Sequence, residues 1–234
     1  MQFFIVALLI CLFVFLYCVY LLAHDDFIFL RRDVTMEKLF NLVFIGSMFS
    51  LLFARFFYGI FNSQNVFANP FVFLLFPYYP GLSLLGGVLG TGVFFGFLAI
   101  NKKNNLPLRR LADFFSIAFL ITLPVGFLGY FMFSEDSFYF VRAVSMIVTY
   151  LILFIIFLRF LMPQLLNGKF KEGTISFLFL ISFSLVSLVE KFVDRAGKAF
   201  TFTIEDFILI VMLIASSVFL IKHENLLSQI KKLR

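Results

Sequence analysis

The sequence predicts an all-α, polytopic integral membrane protein of seven transmembrane helices, with its N-terminus outside and its C-terminus in the cytoplasm. Three observations carry that prediction. The first is composition: 62% of the 234 residues are hydrophobic, only 14% are charged, and the mean hydropathy is +1.06. A soluble domain carries about 45–50% apolar and roughly 25% charged residues, so the surface of this chain must face lipid. The second is length: seven apolar runs each come close to the roughly 20 residues that cross the hydrocarbon core as a helix. The third is charge: the basic residues concentrate in alternate gaps between the runs.

The runs cover 2–23, 39–61, 82–100, 111–133, 139–163, 174–190 and 205–222, in one membrane domain spanning 1–234. Helix is the consistent reading, because lipid leaves no partner for an open strand edge and a barrel would show short alternating segments instead of solid runs. The run 2–23 does not read as a cleaved signal peptide. It has no basic leader, its apolar stretch exceeds the usual length of about 7–15 residues, and no A-x-A site follows it. Cys11 and Cys18 lie seven residues apart within it, on one helix face. They read as small packing residues rather than as a disulfide or a zinc site. The run His24-Asp25-Asp26 has metal-ligand chemistry, but adjacent side chains rarely point at one ion. No metal or cofactor is expected.

Residues 62–80 are read as an outer interfacial arm. Val66–Pro80 reads VFANPFVFLLFPYYP, and Pro70, Pro77 and Pro80 disfavour a continuous helix. Tyr78 and Tyr79 would then lie at headgroup depth; a hydrophobic loop packed on the bundle fits the same residues. The third run is crowded by Gly86, Gly87, Gly90, Gly92 and Gly96. Gly86/Gly90 and Gly92/Gly96 are two small-xxx-small pairs, a pattern of close helix–helix packing. The alternative is a close approach of backbone to a lipid headgroup.

Orientation follows from the basic residues. Arg31, Arg32 and Lys38 fill the first gap; Lys102, Lys103, Arg109 and Arg110 the third; Lys169 and Lys171 the fifth. Lys222, Lys231, Lys232 and Arg234 fill the tail. The second and fourth gaps have none, and the sixth has Lys191, Arg195 and Lys198. The basic side is cytoplasmic by the positive-inside rule. The net charge of +6 therefore expresses topology and attraction to anionic lipid, and does not point to nucleic acid.

Charges within spans are costly unless they are paired or reach water. Arg55 lies about two turns before the outer end of the second span, where snorkelling to headgroups and clamping a phosphate both fit a guanidinium. Tyr58, three residues on, shares its face. Glu135 and Asp136 end the fourth span, and Arg142 opens the fifth. Arg55, Tyr58, Glu135 and Arg142 can converge at the outer headgroup layer, as a site or as a structural ion-pair set. Asp113 and Glu190 read as caps or interfacial charges.

The order of these residues resembles the bacterial prolipoprotein diacylglyceryl transferase family from Leu39 to Glu135. The family's G-R-x-G-Y segment aligns with Ala54-Arg55-Phe56-Phe57-Tyr58, and its G-[MG]-S-F-H-G-G segment with Gly81-Leu82-Ser83-Leu84-Leu85-Gly86-Gly87. A basic gap and an L-D-F-like sequence align with Arg109-Arg110-Leu111-Ala112-Asp113-Phe114. The family's G-R-x-G-N-F-x-N-G-E aligns with residues 126–135, ending at Glu135. The resemblance implies seven spans with the N-terminus outside, in agreement with the charge count. It also implies a bacterial inner-membrane location and transfer of diacylglyceryl from phosphatidylglycerol to a lipoprotein cysteine. On it, Arg55, Tyr58, Ser83, Gly86 and Gly87 are candidate lipid- or phosphate-binding residues and Glu135 is the candidate catalytic group; Arg142 joins the binding candidates from its place at the outer start of the fifth span.

The departures from the family pattern bear on activity. Its histidine is Leu85 here, its motif arginine is Phe127, and its two asparagines are Tyr130 and Phe133. The arginine of span six has no counterpart before Glu190, and the large outer insert between spans four and five is reduced to Ser134–Phe138. Losing one transition-state donor costs about 10²–10³ in rate. The expectation is a relative that binds phosphatidylglycerol, a prolipoprotein or a membrane partner through a degenerate site. An active divergent transferase is the second reading, and a subunit of a membrane complex or a transporter the third.

Overall fold

The computed structural model describes residues 2–62, 81–100, 106–131, 137–195 and 202–225, and every regular element among them is helical. Glu135 and all of the expected arm beyond Asn62 lie outside the described residues. Six helices are long and apolar enough to cross a membrane. The third expected span corresponds to a 17-residue helix, Leu84–Ile100, shorter than those six. At 1.5 Å per residue it is about 25 Å long. Contacts divide the chain into two compact units, Met1–Phe157 and Leu158–Arg234.

In the first unit, α1 (Gln2–His24) is followed by the short α2 (Phe27–Arg31) and then by α3 (Met36–Asn62). Next come α4 (Leu84–Ile100), α5 (Leu108–Phe131) and α6 (Ser137–Ile156). Helix α3 packs on α4, while α5 packs on both α1 and α6. That double contact makes α5 the centre of its group: Leu111, Phe114, Ile117, Ala118 and Leu120 are fully buried or nearly so. By contrast, α1 shows Ile10, Phe13, Tyr17 and Leu21 on an exposed apolar face. Such a face suits lipid and would be a liability in water. Aromatic edges tie the layers together. Phe15 of α1 and Phe95 of α4 each meet the Phe115 ring of α5 edge-on at 5.1 Å. Pro124 lies inside α5. It cannot donate to the Leu120 carbonyl, a defect that membrane helices accommodate.

Asp26 has a role that the sequence reading did not give it, and Asp113 differs from its sequence reading. Asp26 belongs to no metal cluster in the described residues; one of its oxygens caps α2, accepting from the amides of Ile28 and Phe29 at 3.0 and 3.3 Å. The other accepts from Arg110 Nη2 at 2.8 Å and Nε at 3.1 Å, both partners being buried. Asp113 is not an interfacial cap: it sits in the second turn of α5 and is fully buried.

The expected span 139–163 continues past α6 through a π-turn, Phe157–Leu161, into α7 (Met162–Leu166). Pro163 supplies the reason. It has no amide to give the Arg159 carbonyl, so the turn before it widens.

In the second unit, α8 (Thr174–Asp194) and α9 (Ile204–Glu224) form an antiparallel pair clasped at both ends. At one end Lys191 pairs with Glu205, and Arg195 donates to Asp206 at 2.7 and 3.3 Å. Thr203 and Asp206 form a reciprocal capping box that starts α9. At the other end the Lys171 amide and the Thr174 hydroxyl both donate to Glu224, the former at 2.9 Å. The Lys171 ammonium donates to the His223 carbonyl.

Candidate functional site

The candidate site grows from the contact between α3 and α4, which glycine makes possible. A Cβ on Gly86 would lie 2.7 Å from the Phe53 carbonyl oxygen and 2.7 Å from Phe57 Cβ. One on Gly90 would lie 2.7 Å from Phe53 Cβ and 2.8 Å from the Phe49 carbonyl oxygen. Only a bare Cα lets the backbones approach this far, which is the small-residue packing of membrane helices. Gly92 and Gly96 are different, for a Cβ on either would meet nothing within 4 Å. The first pair of the motif is a packing surface and the second is not.

At the start of α4 the close approach is stitched by hydrogen bonds. The Ser83 amide donates to the Ala54 carbonyl at 2.9 Å, and the Ser50 hydroxyl donates to the Gly87 carbonyl at 3.1 Å. The Ser83 hydroxyl accepts from the Gly86 amide at 3.2 Å, as an N-cap does. These contacts bring Gly81 against α3. A Cβ on Gly81 would fall 2.3 Å from the Tyr58 ring, so the tyrosine lies where any side chain at 81 would go.

Arg55 completes the cluster. Its Nη1 donates to the Gly81 carbonyl at 2.8 Å, and its guanidinium lies over the Tyr58 ring at 5.7 Å. It is only 3% exposed, so it does not snorkel. A cation is thus fixed between a carbonyl dipole and an aromatic face, at the N-terminal turn of a 17-residue helix. The ring holds the cation, and the guanidinium and the helix N-terminus favour an anionic group nearby.

No protein-family model matches the chain, and neither a curated protein nor a solved structure matches it.

Of the expected site residues, Arg55, Tyr58, Ser83, Gly86 and Gly87 are brought together, with Gly81 added. Arg142 lies half-buried in the second turn of α6, its carbonyl accepting from Ser145 at 2.8 Å. Glu135 lies outside the described residues. Two positions where the family resemblance would call for polar groups are packed apolar ones. Leu85 is 3% exposed, and the Phe127 ring stacks on Tyr150 at 5.9 Å with the planes 13° apart. The sequence reading missed the Asp26–Arg110 pair. Asp before Phe-Ile-Phe-Leu is a helix-start signal, but a partner 84 residues away leaves no local trace.

Proposed function

We propose that the chain is a seven-span bacterial inner-membrane protein, N-terminus outside, that resembles the prolipoprotein diacylglyceryl transferases. On this reading it holds phosphatidylglycerol at the outer leaflet through the Arg55 cluster and has lost the transfer reaction. The observation that carries the reading is a contrast among the positions that the resemblance names. Arg55, Tyr58, Ser83, Gly86 and Gly87 gather at one helix start, while Leu85 and Phe127 are packed side chains with no proton or charge to give. An arginine matches phosphate oxygens in a planar, two-pronged way, so binding can outlast catalysis. On this reading α4 is the seventh span, entered through the non-helical Gly81–Ser83.

The test is lipid analysis of the protein purified in mild detergent, with Arg55→Ala alongside, followed by incubation with phosphatidylglycerol and a lipobox peptide. The expected outcome is phosphatidylglycerol retained by the parent chain, depleted in Arg55→Ala, and no diacylglyceryl mass shift on the peptide. A mass shift would refute the loss of catalysis. Equal lipid retention by both proteins would refute the Arg55 site.

A further inference from the structure

We propose that α2 is an interfacial element that docks on an anionic phospholipid surface at the C-terminal end of α1. A free helix of five residues is not stable in water. Here both ends are closed. Asp26 caps the N-terminus, and Arg110 holds its second carboxylate oxygen. At the other end the Val34 amide donates to the Phe29 carbonyl at 3.2 Å and the Asp33 amide to the Leu30 carbonyl at 3.2 Å. Asp33 takes the left-handed conformation, φ 51°, that this Schellman closure requires.

The inward side of α2 is equally fixed. Phe29 is 1% exposed and stacks on Phe114 at 5.5 Å, and the Arg110 guanidinium lies over the same Phe114 ring at 5.5 Å. With helix ends and inner face anchored, the outer face is set as well. Phe27 and Leu30, three residues apart and so on one side of the turn, are 74% and 60% exposed. Arg31 and Arg32 follow at once, both exposed, and Arg109, beside the anchoring Arg110, is exposed too.

The occupant follows from position and charge. The element begins three residues after the end of a helix that is long and apolar enough to cross a membrane, and a spanning α1 would put it at headgroup depth. There an apolar pair reaches the acyl boundary while guanidinium groups meet phosphates. A water-facing Phe–Leu pair on a rigid scaffold has no such solvent. Asp25, Asp33 and Glu37 are exposed nearby against Arg31, Arg32, Lys38 and Arg109, so the preference for anionic lipid is a matter of a few charges. The proposal does not depend on the Arg55 site.

The chain has no tryptophan, so Phe27→Trp would create a single fluorescent reporter at an exposed position. The full chain would be placed in nanodiscs of phosphatidylcholine and phosphatidylglycerol, with bromine on the acyl chains of one lipid or of the other. The expected result is blue-shifted emission quenched more by brominated phosphatidylglycerol than by brominated phosphatidylcholine at equal mole fraction. In Arg31→Gln/Arg32→Gln that preference should fall by up to roughly fivefold per arginine. Water-like, unquenched emission would overturn the docking. Equal quenching by the two lipids, or a preference unchanged in the double variant, would overturn the anionic recognition. If Phe27→Trp does not fold, Leu30→Trp reports from the same face.

Discussion

Arg110 donates through Nε and Nη2 to a single oxygen of Asp26, leaving the other oxygen to cap α2. One buried carboxylate thus joins the end of α1, the start of α2 and the first turn of α5. Removing one partner of such a pair leaves an uncompensated buried charge, at about 3–5 kcal/mol. Arg110→Met is expected to lower stability by that order in detergent unfolding followed by circular dichroism. Asp26→Asn combined with Arg110→Met should cost clearly less than the two single losses added together. Strict additivity would show that the two side chains do not act as a pair.

The two glycine pairs of α4 should behave oppositely. Gly86→Ala and Gly90→Ala place a methyl group 2.7–2.8 Å from atoms of α3, two of them backbone carbonyl oxygens. Overpacking of this kind costs about 1–3 kcal/mol. Gly92→Ala and Gly96→Ala meet nothing within 4 Å and gain helix propensity, so neutrality or a gain of up to about 1 kcal/mol is expected. Thermal melting of the four single variants checks this, and a large loss at Gly92 or Gly96 would contradict the packing described.

Gly81 and Tyr58 should be coupled. A methyl group at 81 would overlap the Tyr58 ring at 2.3 Å and push it from beneath Arg55. Gly81→Ala is expected to reduce both stability and retained phospholipid. Adding Tyr58→Ala removes the overlap and should recover part of the stability but not the lipid. A double-mutant cycle reads the coupling directly. Additive losses would place the effect of Gly81→Ala elsewhere.

The α8–α9 clasp should control local opening. Asp206 accepts from the Thr203 amide and hydroxyl, both at 2.8 Å, and from Arg195. Thr203→Ala should cost about 1 kcal/mol as a lost cap. Asp206→Ala removes charge-assisted bonds as well and should cost more, about 1.5–3 kcal/mol for a hydrogen bond to a charged group. Hydrogen exchange should quicken in the first turns of α9 in both variants, and more in Asp206→Ala. Unchanged exchange there would mean that the clasp does not limit opening.

Much of this protein is written in its composition. Long, solid apolar runs with few charges form helices in lipid, because only a helix satisfies its backbone within one segment and a barrel would need alternating strands, and the helices observed lie over those runs. The Thr203–Asp206 capping box and the Pro163 that widens the turn before it are local signals that the sequence reading left unused. Arg55 and Tyr58 could be paired from their three-residue spacing alone.

Tertiary structure decided everything that depends on which faces meet. Five crowded glycines do not tell which pair is packed; the approach of α3 selected Gly86 and Gly90 and left Gly92 and Gly96 outward. Arg55 could snorkel or clamp by sequence, and burial against the Gly81 carbonyl excluded snorkelling. Asp26 found Arg110 across 84 residues of chain. The physical reason is common to all three. Periodicity fixes the direction of a side chain about its own helix axis, but the partner it meets depends on how separate helices approach, a long-range arrangement that local pattern does not encode.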